Sequence, residues 1–112
     1  MTRASDTLLA GAGFLLWAAC FIALYGLLSI SCMSPTLGLP AMRPQAVTGT
    51  LAIVWALFMT AHLTALVASA RRHRAAVGAE AFVLRIGVYL NTAALAATVV
   101  VGAPVLALPP CQ

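Results

Sequence analysis

The sequence predicts an all-α integral membrane protein of three transmembrane helices, and three observations carry that reading. Of its 112 residues, 63% are hydrophobic and 7% are charged, against about 25% charged in soluble domains. The apolar residues fall into three runs, each long enough to cross a bilayer core of about 30 Å as a helix. Between the runs lie a proline-containing stretch and an arginine-rich one, where a membrane helix would stop. A chain of this length makes one domain, residues 1–112, too small to hide so much apolar surface in water.

The first helix is expected over about residues 7–30, with Ser5 or Asp6 capping it. A cleaved signal peptide has an apolar core of about 7–15 residues, so this longer run is expected to stay as a helix. Ser29-Ile30-Ser31-Cys32 has the cysteine of a lipobox but a serine where that motif prefers an aliphatic residue, so no lipid anchor is expected. Ala12, Ala19 and Gly26 recur at heptad spacing and form a small-residue seam. Trp17 falls near mid-membrane and Tyr25 toward an interface.

Residues 31–45 form the first loop, broken by Pro35, Gly38, Pro40 and Pro44. The second helix is expected over 46–70, with Pro44 at its entrance. Every fourth residue along it is small: Thr48, Ala52, Ala56, Thr60, Thr64 and Ala68. Such a row lets another helix backbone approach closely, and in lipid this contact drives association. Residues 71–79 form the second loop, holding Arg71, Arg72 and Arg74 and broken by Gly78. The third helix is expected over 80–108, with Pro104 bending or ending its last turn. Glu80 suits the positive end of that helix and can answer the nearby arginines. Arg85, about a turn inside, can snorkel back to the interface.

Arginine placement orients the chain. Arg3 and the Arg71, Arg72, Arg74 group fall on one side and Arg43 on the other, so the N-terminus and loop 71–79 are expected in the cytoplasm. Loop 31–45 and the C-terminus then lie in the periplasm of a bacterium, and the chain is a multi-pass inner-membrane protein. Arg71, Arg72 and Arg74 are expected to meet anionic lipid headgroups. Six basic residues spread along the chain make no stripe for nucleic acid, which is not an expected partner.

Cys32 and Cys111 fall on the periplasmic side, where a disulfide between them is expected. Cys20 lies inside the first helix and acts as a small apolar group. No cysteine or histidine spacing points to a metal. Counting depth from the helix ends puts Trp17, His62 and Asn91 in one polar layer, with a hydrogen bond from His62 to Asn91 joining the second and third helices. His62 points to the side of its helix opposite the small-residue row. His73 is expected to be solvated.

An ionisable group inside a membrane is a functional candidate, and an imidazole there can ligate haem b or a chlorophyll-type pigment. In helix count and in a histidine on the second helix, the chain resembles the three-helix anchors of respiratory dehydrogenases, whose histidine holds haem. The motifs around that histidine are absent here, so no cofactor is expected and the pigment or haem anchor stands as the alternative. No carboxylate is placed deep in the membrane, and no nucleophile shares a layer with a base, so the chain is not expected to be an enzyme or a pump. The expected role is that of a small non-catalytic accessory or assembly subunit of a larger membrane complex, respiratory or photosynthetic electron transport being the host in view. Its partners would be other integral membrane subunits. A small oligomeric channel or transporter is a further alternative.

Overall fold

A computed structural model describes residues 2–33, 38 and 43–111. Pro35 and Pro40 of the first loop lie outside the described residues, as does the side chain of Arg3. The chain forms three helices: α1 (Thr2–Met33), α2 (Pro44–Ala75) and α3 (Gly78–Ala107). All three are long and apolar enough to span a membrane. Each packs on the other two, α2 running antiparallel to α1 and α3, in a body of 57 × 23 × 15 Å.

α1 and α2 outrun their expected bounds at both ends, while α3 starts two residues earlier and ends one earlier than expected. α1 begins before Ser5 and Asp6, so neither caps it. α2 continues through Arg71, Arg72 and Arg74 to Ala75, and only Ala76 and Val77 separate it from α3. Arg72 and Arg74 therefore sit on the last helical turn, with Arg71 just before it, where cations suit the negative end of the helix dipole. Gly78 makes so short a turn possible, with φ +66°, where a side chain would be strained. Pro44 occupies the first turn of α2, and Arg43 before it is extended, as a residue preceding proline must be. Pro104 lies within α3 without ending it; the helix closes at Ala107, and extended Leu108 precedes Pro109.

Most of the apolar surface points outward. Of the most hydrophobic window of each helix, 22%, 17% and 28% is buried in α1, α2 and α3. Leu15, Ile22, Leu57 and Val100 are among the large side chains left exposed. In water this surface would aggregate, whereas lipid solvates it.

The interior has two unlike halves. Toward one end Cys20, Leu24, Val47, Leu51 and Val105 form an apolar cluster. Beyond it Cys32 and Cys111 are joined in a disulfide, with Cα atoms 5.2 Å apart. From mid-helix to the arginine end the buried side chains include Thr98, His62, Asn91, Ser69 and Asp6. At that end Arg72 Nη1 bonds Asp6 Oδ1 at 3.1 Å. A covalent clasp from α1 to the segment after α3 and an ionic clasp from α1 to α2 thus close opposite ends of the bundle.

The disulfide links positions 79 residues apart, so losing it should cost on the order of 2–4 kcal/mol. Cys32→Ser should lower the midpoint of unfolding in a denaturing-detergent titration by a matching amount. Equal stability of the variant and the parent would show that the bond adds nothing to the bundle.

Candidate functional site

The polar interior is built around Asn91. From α3, its Nδ2 lies 2.8 Å from the Gly87 carbonyl of its own helix, 3.1 Å from Ser69 Oγ on α2 and 3.1 Å from the Leu9 carbonyl on α1. Two amide protons are thus shared among acceptors on all three helices. This convergence needs close backbones. A Cβ at Gly13 would meet the Asn91 side chain, with Ala94 Cβ at 3.0 Å, and one at Gly87 would stand 3.2 Å from Ala10 Cα. Glycine at both positions lets α1 and α3 touch.

A second polar pair lies one heptad farther along. Thr98 Oγ1 gives its proton to the Ala94 carbonyl at 2.9 Å and lies 2.8 Å from His62 Nε2. With the hydroxyl proton committed, the imidazole donates from Nε2. Trp55 Nε1 donates to the Thr98 carbonyl at 3.2 Å. Its indole fills the space beside Gly102, where a Cβ would collide with the ring.

The expected His62–Asn91 bond is therefore corrected: His62 meets Thr98, and Asn91 meets Ser69. The cause is side-chain lean. Side chains tilt toward their own helix N-terminus, so on antiparallel helices they tilt apart. Residues of equal backbone depth then miss each other, and His62 and Asn91 each find a partner farther along the other helix. The register that pairs Asn91 with Leu9 puts Trp17 near the level of Thr98 and His62. Trp17 Nε1, His62 Nδ1 and Asn91 Oδ1 are buried without a hydrogen-bond partner among the described residues.

His62 is fully enclosed, with one ring nitrogen held by Thr98, an arrangement that does not favour an axial ligand to a planar cofactor outside the bundle. Nor is His73 solvated: it is half-buried, and its Nδ1 donates to the Ala81 carbonyl at 3.1 Å, across the turn into α3. Asp6, read as a helix-start residue, is 2% exposed. Its Oδ1 accepts from Arg72, whose Nη1 also reaches Ser5 Oγ at 3.3 Å, while Oδ2 has no partner among the described residues. Glu80 pairs with no arginine among the described residues; it lines, with Ser5, Asp6, Arg72, Ala75 and Ala76, a pocket of about 220 Å³. Among the described residues, no group of three or more His, Cys, Asp or Glu side chains could hold a metal ion.

The small-residue row lies on the other side of α2. Thr48, Ala52 and Ala68 are half-buried, whereas Ala56, Thr60 and Thr64 are exposed. Thr60 donates to the Ala56 carbonyl and Thr64 to the Thr60 carbonyl, each at 2.9 Å. With those protons spent inside the helix, the face offers shape rather than hydrogen-bond donors. A shallow groove runs along it from Thr60 to Ala68 and ends on exposed Arg71.

Compared with known protein families, with curated proteins and with solved structures, the chain matches none.

Overpacking the interior should cost about 1–3 kcal/mol per site. Gly13→Ala and Gly102→Ala are expected to lower stability by that amount in a denaturing-detergent titration, while Gly11→Ala, which meets open space, should leave it unchanged. If all three behave alike, the helices do not pack in this register.

Proposed function

We propose that the chain is a small non-catalytic subunit that packs into, or helps assemble, a larger complex in the bacterial inner membrane. The observation that carries the reading is the outward-facing middle of the small-residue row: Ala56, Thr60 and Thr64 are exposed while α1 and α3 pack on the opposite side of α2. A flat face of this kind suits close van der Waals contact with a further transmembrane helix, since lipid gives no hydrophobic reason for helices to associate. An electron-transport complex, respiratory or photosynthetic, is the host class we favour. The cofactor-anchor alternative is weakened by the enclosure of His62.

Two features support an orientation with the arginine end in the cytoplasm. Arg71, Arg72 and Arg74 follow the positive-inside pattern, and the Cys32–Cys111 bond suits an oxidising space at the opposite end. In this orientation Arg71 and Arg74, both exposed, meet the anionic leaflet.

Native size after mild extraction, with mass spectrometry of the co-migrating chains, tests the proposal. The tagged chain should run in a large assembly with defined partners. The Ala56→Leu, Thr60→Leu double variant should run alone while keeping its helicity and disulfide. Migration of the parent as a lone monomer would sink the subunit reading, and survival of the assembly in the double variant would move the interface elsewhere.

A further inference from the structure

The segment after α3 is fastened to the bundle in an unusual way. Residues 108–111 leave the helix end and cross to α1, where Cys111 joins Cys32. Leu108 N–H donates to the Pro104 carbonyl at 3.0 Å, which closes the helix and not the crossing. Pro109 and Pro110 have no N–H to give. Leu108, Pro109 and Cys111 are exposed and Pro110 is half-buried, so packing adds little. Cys111 has φ +64°, a left-handed conformation that a residue with a side chain keeps only where its surroundings impose it. Among the described residues, the bond to Cys32 is the tie that imposes it.

Beneath the crossing lies a pocket of about 220 Å³. Tyr25 and Leu28 of α1 and Pro104 and Val105 of α3 wall it, and residues 108–111 complete it. Val105 belongs to the apolar cluster of this end, and Tyr25 and Leu28 pack against that cluster. The segment therefore covers an entrance to the apolar half of the interior. Its fastening is open to chemistry as well. Thiol–disulfide exchange needs access to a sulfur, and Cys111 is exposed at the very end of the bundle.

We propose that residues 108–111 form a strap whose disulfide is a redox latch, opened by a dithiol that a protein presents at this face of the membrane. A thiolate of the dithiol attacks Cys111 Sγ, and the Cys32 sulfur leaves and takes up a proton. The second thiol of the dithiol then displaces Cys111 from the mixed disulfide. Two electrons and two protons have passed from the dithiol, now a disulfide, to Cys32 and Cys111, now thiols. The freed strap leaves the pocket and uncovers Tyr25, Leu28 and Val105. The hydrogen bonds of Asn91 and the Arg72–Asp6 pair lie in the other half and stay closed. The latch stands apart from the outward face of α2 and does not depend on a partner there.

Thiol counting tests it, with Cys20 as a built-in control: that side chain is fully buried and reacts only when the helices part. The full chain in mild detergent is treated with dithiothreitol and then with a maleimide, and adducts are counted by intact mass. Two adducts with unchanged helicity are expected. The first minutes of hydrogen exchange report local opening and not unfolding of the whole bundle. Over that time the reduced chain should take up deuterium about tenfold faster across residues 105–111, with no change across α2. Three adducts in place of two, or none before denaturation, would overturn the latch. So would two adducts with exchange across 105–111 unchanged, which leaves the strap seated without its bond, or an equal rise across all three helices.

Discussion

Asn91 is where the three helices are held to one another. In water, burial of apolar faces would drive docking, but lipid is as apolar as the helices themselves. What remains is close packing and hydrogen bonds that lipid cannot supply. The Asn91 amide reaches Gly87 on its own helix, Ser69 on α2 and Leu9 on α1, so one side chain specifies both the register of α2 against α3 and that of α1 against α3. Each such bond contributes about 0.6–2 kcal/mol. The geometry is available because Gly13 and Gly87 lack side chains where α1 and α3 approach.

From this node the bundle differs in its two directions. Toward the arginine end the polar groups continue through Ser69 to Asp6 and Arg72, and toward the disulfide end they give way to Cys20, Leu24, Leu51 and Val105. Directional bonds specify partners in the first half, where a one-turn slip would leave several buried donors and acceptors unmatched. Past the His62–Thr98 pair and the Trp55 bond to the Thr98 carbonyl, packing holds the second half, and the Cys32–Cys111 bond adds there the connection that apolar contacts do not specify.

Three apolar runs and their breaks made the three helices legible from composition and periodicity. Helix ends are less so, because Ser5 and Asp6 read as caps and Arg71, Arg72 and Arg74 as a loop, although such residues can occupy the end turns of a membrane helix. A cap position carries no signal of the burial found at Asp6. The opposition of His62 to the small-residue row follows from the 100° step of a helix and needs no partner to be known. Pairing does need one. Ser69 and Thr98 carry no individual signal, since serine and threonine inside helices commonly bond their own backbone. A pattern was present all the same: His62 and Ser69 on α2, and Asn91 and Thr98 on α3, are each a heptad apart. Two polar rungs on facing antiparallel helices match only when each pair is set in opposite order, which gives the observed bonds once lean is allowed for.

The covalent link between α1 and the segment after α3 has a bearing on how the chain enters a membrane. Cys32 and Cys111 flank α2 and α3, so the bond closes only if the chain between them crosses the bilayer an even number of times. A molecule in which α2 inserts and α3 does not would hold its two thiols on opposite faces, beyond each other's reach. With only Ala76 and Val77 between these helices, α2 and α3 are suited to insert together as a hairpin. The bond then works as a parity check on topology, locking the correctly threaded chain and leaving a half-inserted one unsealed.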